Sequence, residues 1–280
     1  MTRPLTSPSR VAELLKTHGL RPDRSFGQNF LVDASALAAI SAAAGLDRDA
    51  TVVEFGPGLG VLTVELAAHA GHVLAVELDG RLLPALGETT ASLDNVTILH
   101  QDALKFDYSV LPEGSALVAN LPYNVATPLI MNAVESGRIS RLVVMVQREV
   151  AQRMQASVGD AGYGAWSVIL GYHAEAEIVR DVAPGCFFPP PEVTSSIVRL
   201  DVRAGVEPDR QLFALVHDAF RHRRKTLRNN LGRAGHAGKL VDIALARMGL
   251  DSRIRAEELS LKQFQELLGE LRSVDDSAMG

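Results

Sequence analysis

The sequence predicts an α/β protein: a seven-stranded sheet wrapped by helices, followed by a small all-helical domain. Three observations carry that prediction. Between Thr51 and Val202, short β-branched runs alternate with helical patterns, which is how a sheet of mainly parallel strands is written. A polar stretch with Gly205 and Pro208, residues 203–209, then interrupts the pattern. Beyond it the periodicity is helical throughout, with no strand candidate.

The strands are expected at Thr51–Phe55, His72–Leu78, Val96–Asp102, Ala116–Asn120, Arg141–Gln147, Ser167–Ile178 and Thr194–Val202. Helices fall between them at Gly60–Ala70, closing on Gly71, at Pro128–Glu135, closing on Gly137, and at Arg148–Ala156. Right-handed crossovers place the functional loops at the C-terminal ends of the strands. Residues 1–204 thus form one domain and 205–280 another. The second has helices expected at Asp209–Leu231, Gly238–Met248 and Ser260–Leu271, with Ser273–Gly280 as a frayed tail.

With 280 residues, 47% of them hydrophobic, the chain can bury a large core. Its apolar runs, such as Leu142–Val146, fall far short of the roughly 20 residues of a membrane span. The N-terminus lacks an apolar stretch of the kind that directs secretion, so a cytoplasmic protein is expected. Cys186 is the only cysteine, and the eight histidines form no ligand pattern, so neither a disulfide nor a metal site is expected. The net charge of −5 argues against a polyanionic partner, but the local distribution argues for one. Residues 217–239 hold Arg221, Arg223, Arg224, Lys225, Arg228, Arg233 and Lys239 against Asp218 alone, a local charge of +6. The N-terminal segment is also basic, with Arg3, Arg10, Lys16, Arg21 and Arg24 against Glu13 and Asp23. The two stretches could converge on one face.

Three strand ends in succession carry residues suited to one ligand. The first runs into Gly56, Gly58 and Gly60, where a glycine turn lets a ligand approach the backbone. The spacing Gly-x-Gly-x-Gly differs from the dinucleotide fingerprint, and Glu54 precedes it, which favours a methionine–adenosyl ligand over a pyrophosphate. Glu77 ends the second strand, where a carboxylate can accept both ribose hydroxyls. Asp102 ends the third, where it can accept from an adenine amino group. Each carboxylate alone is as consistent with a solvated strand end; the ordered series is what points to a site.

The fourth strand leads into Asn120-Leu121-Pro122-Tyr123. An aromatic amine is a poor nucleophile because its lone pair is delocalised into the ring. The Asn120 side-chain oxygen and the Leu121 carbonyl can accept its two N–H bonds and draw the nitrogen toward sp³ geometry. Tyr123 can then stack on a base flipped from its neighbours. A strand followed by a proline turn would account for Pro122, but not for Asn120 and Tyr123 together. The loop has no cysteine, which excludes the covalent chemistry of cytosine C5 methylation.

These motifs, with Gly27-Gln28-Asn29-Phe30-Leu31-Val32-Asp33, the segment from Phe187 through Pro189, Pro190, Pro191 and Glu192 to Ser195, and the basic run Phe220–Leu231, resemble the ribosomal RNA adenine N6-dimethyltransferases, in particular their bacterial small-subunit branch. The resemblance spans nearly the whole chain. It implies a class I, Rossmann-like methyltransferase sheet, with S-adenosyl-L-methionine as cofactor. It assigns Asn29, Leu31, Gly56, Gly58, Glu77, Asp102 and Asn120 to the cofactor. Asn120, Leu121, Pro122 and Tyr123 are assigned to catalysis, and Phe187 to an aromatic clamp with Tyr123. Arg221, Arg223, Arg224, Lys225 and Arg228 are assigned to RNA. Glu192 stands where the family usually has lysine.

The implied reaction is dimethylation of N6 on two adjacent adenosines in the 3′-end hairpin loop of 16S rRNA. The implied partner is a partly assembled small ribosomal subunit, and the protein is expected to be a monomer acting in small-subunit biogenesis. Three alternatives share part of the pattern: a 23S rRNA adenine dimethyltransferase of the antibiotic-resistance type, a DNA adenine methyltransferase, and an assembly factor in which binding outweighs methylation. Outside the resemblance, Asp33 reads as a helix cap.

Overall fold

In a computed structural model, residues 4–23 and 26–279 are described, with side chains described through Val274. The sheet strands are β1 (Thr51–Phe55), β2 (His72–Glu77), β3 (Val96–His100), β4 (Ser115–Asn120), β5 (Ile139–Gln147), β6 (Ala174–Val182) and β7 (Ser195–Val202). They lie in the order β3-β2-β1-β4-β5-β7-β6. The five strands from β3 to β5 are mutually parallel, whereas β7 runs antiparallel to both β5 and β6. The expected seven-stranded α/β sheet is therefore present, with one strand inserted against the common direction. Chain order reverses at β1, whose neighbours are β2 and β4, so a crevice opens above the C-terminal ends of β1 and β4.

The helices packed with the sheet follow from local sequence. α1 (Pro8–Thr17) has proline in its first turn, and α2 (Ala34–Ala44) is capped by Asp33, whose Oδ1 accepts from Ala36 N at 2.7 Å. α3 (Val61–His69), α4 (Leu83–Thr90) and α5 (Ala126–Glu135) each follow a strand as a crossover. Val52, Val73, Val118, Val143 and Ile197 of the strands are buried with Leu37, Ile40 and Leu66 of the helices. Such near-continuous apolar strands are what a sheet covered on both faces requires. A second cluster joins Val11 and Leu15 of α1 to Phe30, Leu59, Leu82 and Ala85.

Two compact units are formed. One comprises Met1–Ala151 with Ala174–Val206, and the other Gln152–His173 with Glu207–Gly280. Residues 152–173 thus belong with the C-terminal helices, and the linear division at 204 does not describe them. α6 (Arg148–Gln155) spans the junction, and α7 (Ala165–His173) occupies the start of what the sequence suggests is a strand. The expected strand Ser167–Ile178 is corrected to a helix followed by β6. The run Ser167–Leu170 is buried and apolar, so it carries no period to separate helix from strand. Polar–apolar alternation starts only at Ala174, in an edge strand whose Glu175, Glu177 and Asp181 discourage further pairing.

In the helical unit, the expected helix Asp209–Leu231 is two: α8 (Arg210–Ala219) and α9 (Leu227–Arg233). The break has a cause. Asn230, 1% exposed, donates from Nδ2 to Ala219 O (2.7 Å) and His222 O (3.2 Å), satisfying carbonyls at the end of α8. Thr226 then caps α9. α10 (Gly238–Arg247) and α11 (Leu261–Met279) complete the unit. The expected frayed tail after Ser273 is helical to Met279, because Phe264, Leu267, Leu271 and Val274 continue one buried face. Tyr163 and Phe264 flank Phe220 at ring distances of 6.1 and 5.8 Å, and Tyr163 Oη donates to Leu259 O at 2.8 Å. Among the described residues, no helix is long and apolar enough to cross a membrane.

Candidate active site

Above the C-terminal ends of β1, β2 and β4 lies a cavity of about 320 Å³. Its lining includes Asn29, Leu31, Gly56, Gly58, Glu77, Asp102, Asn120, Leu121, Pro122 and Tyr123. A neighbouring cavity of about 440 Å³ is lined by Tyr123, Asn124, Gln147, Pro189, Pro190, Pro191, Glu192 and Val193. The two share Gly27, Gln28, Asn29, Tyr123 and Asn124, so a ligand in one lies beside a ligand in the other.

The glycine turn after β1 requires glycine for shape and space. Gly56, Gly58 and Gly60 have φ of 70, 60 and 82°, where L side chains are strained. A Cβ on Gly58 would also stand 3.0 Å from the Phe30 ring. Close to this turn, Glu77 is 6% exposed; its carboxylate accepts from Gly58 N at 3.0 Å and Asp79 N at 2.8 Å. Burial raises the Glu77 carboxyl above the usual range, against these backbone donors. Each carboxylate oxygen retains lone-pair capacity, so the group can also accept a ribose diol. Asp102 lies two residues past β3 rather than on it, and its Oδ1 accepts from Leu104 N at 2.9 Å. Leu78 and Leu104, 52% and 41% exposed, also line this cavity and supply apolar walls for a flat ring.

Glu54 is 1% exposed and accepts from Thr63 Oγ1 at 2.6 Å. Burial pushes its carboxyl up to about 8, so it is largely uncharged at neutral pH.

At the end of β4 the Asn120 amide is oriented by one bond. Nδ2 donates to Asn29 O at 3.0 Å. A carbonyl can only accept, so Nδ2 is the atom spent on Asn29 and Oδ1 is left as the acceptor of a residue that lines the first cavity. Leu121 N donates to Met145 O at 3.2 Å and the Leu121 side chain is 1% exposed, which fixes the backbone here. Tyr123 Oη shares a 2.6 Å hydrogen bond with the fully buried Ser195 Oγ. Burial raises the Tyr123 phenol above its ordinary value, so it stays protonated.

Phe187 is placed elsewhere. Its backbone pairs with Leu31 and that of Phe188 with Phe30, while Phe187 is 3% exposed in the core with Leu31, Ala36 and Val182. It lines neither cavity, and the wall near Tyr123 comes from Pro189–Pro191 instead. The basic residues belong to the helical unit: Arg221, Arg223, Arg224 and Lys225 are exposed in the turn between α8 and α9. Arg228 is bound to Asp242 at 2.5 Å, a partner just beyond the stretch whose charge suggested an RNA surface. Arg3 and Arg24 lie outside the described residues, and Arg10 pairs with Glu13 and Glu88.

Sequence reasoning assigned no role to Gln28, Asp79, Arg81, Ser195 or Gln147. Gln28 Nε2 donates to Asp79 Oδ2 at 2.8 Å, and Arg81 pairs with both Asp79 and Asp23. The only signal for the pair was the two-residue spacing of Asp79 and Arg81 after Glu77, which reads equally well as a surface turn. Ser195 and Tyr123 are 72 positions apart, and nothing in the sequence joins them.

The residues fit the cofactor named by resemblance. The glycine turn admits a chain against the backbone, the Glu77 carboxylate suits a diol, and Asp102 between two exposed leucines suits an aminopurine. Among the described residues, no group of three or more His, Cys, Asp or Glu side chains could hold a metal.

Residues 19–272 match the ribosomal RNA adenine dimethylase family. A Deinococcus radiodurans protein named ribosomal RNA small subunit methyltransferase A is 46% identical, over 96% of this chain and 92% of its own. A Moorella thermoacetica protein of the same name is 43% identical, over 94% and 97%. Two solved structures share the architecture. A dimethyladenosine transferase from Plasmodium falciparum has a TM-score of 0.78 and 26% identity, covering 88% of this chain and 98% of its own. The 23S rRNA methyltransferase ErmE has a TM-score of 0.70 and 28% identity, covering 87% and 100%. A match over this much of the length, with full-length relatives at 43–46% identity, shows that the chain belongs to the ribosomal RNA adenine dimethylase family.

Proposed function

We propose that this chain uses S-adenosyl-L-methionine to dimethylate N6 of two adjacent adenosines in the 3′-end hairpin loop of 16S rRNA, acting in the cytoplasm as a monomer on a partly assembled small subunit. The observation that carries the chemical part is the oriented Asn120 amide in the first cavity, whose lining shares Asn29 and Tyr123 with the second. The cofactor, when bound, supplies an electrophilic methyl group on a sulfonium. Asn29, Leu31, Gly56, Gly58, Glu77, Asp102 and Asn120 would hold it in the first cavity, and the target adenine would enter through the second with its amine reaching past the shared Tyr123 to Asn120 and Leu121 in the first.

Asn120 Oδ1 and the Leu121 carbonyl then accept the two N6–H bonds, and Tyr123, held by Ser195, stacks on the base. This cradle draws the lone pair out of conjugation and points it along the transfer axis, so positioning rather than covalent catalysis lowers the barrier. No strong base is needed, since the proton leaves to solvent after the nitrogen becomes cationic. Unpaired loop bases cost little to extrude, which suits such a target. The exposed cations of residues 221–225 bind phosphates without reading sequence.

The relatives at 43–46% identity, named for the small subunit, favour this branch over the 23S type represented by ErmE at 28%. The deciding experiment is methyl transfer from labelled cofactor to small subunits lacking the modification, with naked rRNA and large subunits as parallel acceptors. Dimethyladenosine, identified by mass, is expected in small-subunit RNA alone. Labelling of 23S RNA would assign the chain to the other branch, and absence of transfer would leave binding as its role.

A further inference from the structure

The Asn120 amide is only as well placed as the carbonyl it donates to, and Asn29 O sits in a segment held from both sides. Downstream, Phe30 and Leu31 pair with Phe188 and Phe187, and Val32 N donates to Cys186 O at 2.8 Å. Upstream, the hold comes from the turn after β2. Asp79 is 5% exposed, and its carboxylate receives four donors. Arg81 N and Nε reach Oδ1 at 3.1 and 2.8 Å, while Arg81 Nη2 and Gln28 Nε2 both reach Oδ2 at 2.8 Å.

Gln28 is engaged at both ends of its amide, since Oε1 accepts from Asp23 N at 2.8 Å. Arg81 also donates to Asp23 Oδ2 at 2.9 Å, and its guanidinium carbon lies 5.3 Å from the centre of the Phe26 ring. Asp79 N in turn donates to Glu77 Oε1 at 2.8 Å. A continuous chain therefore links the expected ribose carboxylate, through Asp79, Gln28 and the next residue's carbonyl, to the Asn120 amide.

We propose that Asp79, braced by Arg81, is a positioning residue that latches the 26–31 segment to the end of β2 and so sets the direction of Asn120 Oδ1 as well as the wall of the cofactor cavity. The proposal rests on the assignment of Asn120 Oδ1 to the acceptor amine. A turn-stabilising role alone would account for the bonds from Arg81 N and Nε, which are local. It does not account for Gln28, 51 positions from Asp79, or for Asp23, 58 positions from Arg81. The neighbouring guanidinium holds the Asp79 carboxyl below the usual carboxylate range, so the latch stays charged at neutral pH. It ties the two cavities together, because Gln28 and Asn29 line both.

The test compares Asp79→Asn, Gln28→Ala and the double variant, with Asn120→Ala in parallel. The readouts are kcat and cofactor KM for transfer to unmodified small subunits, S-adenosylhomocysteine affinity by calorimetry, and Tm. Each single latch variant is expected to lose ~10-fold or more in kcat at saturating cofactor, as misplacement of a reacting group does. The double variant is expected to lose no more than the worse single one, since both cut the same link. Losses that multiply, or a fall in Tm with kcat unchanged, would overturn the proposal. If Asp79→Asn does not fold, Arg81→Gln at its half-exposed position replaces it under the same criterion. Full activity in Asn120→Ala would overturn the underlying assignment, whereas an inactive Asn120→Ala beside fully active latch variants would overturn the latch alone.

Discussion

Asn120→Ala removes one acceptor from the amine cradle and one donor from the Asn29 carbonyl. Only the first loss bears on the transition state. Nδ2 is already committed to Asn29 O at 3.0 Å, so the catalytic contribution is that of Oδ1 alone. Deleting one preorganised group of this kind costs ~10²–10³-fold in kcat. The missing bond to a half-buried carbonyl costs ~1 kcal/mol of stability, because water can replace the donor. Asn120→Asp separates the two functions. It keeps an acceptor oxygen but sets a second oxygen against Asn29 O, so the carboxyl must turn away or carry a proton. Its activity relative to the parent should therefore rise as pH falls, whereas Asn120→Ala should show the parent's pH dependence at lower rate. Single-turnover transfer with saturating labelled cofactor, measured from about pH 6 to about pH 9, reads both. A kcat loss below ~10-fold in Asn120→Ala, or a loss confined to cofactor KM, would refute the assignment of Oδ1 to the amine.

Tyr123→Phe should retain base stacking but leave the Ser195 hydroxyl unpaired in the core, lowering stability by ~1–3 kcal/mol in chemical denaturation; Tyr123→Ala should in addition reduce transfer far more than Tyr123→Phe does. Glu54 carries a raised carboxyl pKa in the fold, so the native state holds a proton that the unfolded chain releases above its ordinary value of 4.5, and stability should fall from there up to about 8 and then level. Glu54→Gln should remove that slope and raise Tm at pH ~8–9 relative to the parent, and an unchanged slope by differential scanning would contradict a neutral Glu54. Replacing Arg221, Arg224 and Lys225 by Gln should flatten the salt dependence of RNA binding by ~0.7 for each phosphate no longer neutralised, whereas Arg228→Gln should change it less, because that guanidinium is paired with Asp242.

Much of the first cavity's lining was legible because it follows from strand order. A strand end is easy to locate, and the crevice over β1 and β4 is where chain order reverses, so Gly56, Gly58, Glu77 and Asp102 converge once the sheet is recognised. Asn120 and Tyr123 were singled out for a different reason: the chemistry of an aromatic amine requires a side-chain acceptor beside an aromatic surface. What escaped were hydrogen bonds between distant segments. Gln28 with Asp79 and Tyr123 with Ser195 bring together polar residues whose local sequence reads as ordinary turn or strand. The helix Ala165–His173 escaped because its buried apolar run, Val168–Leu170, reads the same in a helix as in a strand. Arg228 was overcounted because its partner, Asp242, lies one helix later.

The two cavities divide the chemistry in a way that bears on acceptor choice. ErmE is named for 23S rRNA yet shares this architecture at 28% identity over most of the chain, so an amine cradle built on such a sheet cannot by itself select the RNA. The described residues lining the second cavity are uncharged apart from Glu192, which would repel rather than hold a phosphate. Affinity for an RNA backbone must then be supplied away from the cavity lining. The exposed Arg221, Arg224 and Lys225 cluster in the helical unit has the charge to supply it. On the proposed function, the sheet unit would act on the extruded adenine and the helical unit would contribute to choosing which adenine arrives. Exchanging residues 152–173 together with 207–280 for those of a 23S-directed relative should therefore shift acceptor preference in competition between small and large subunits, while S-adenosylhomocysteine affinity stays at the parental value. A chimera that loses cofactor affinity along with acceptor preference would show that the two functions are not separable in this way.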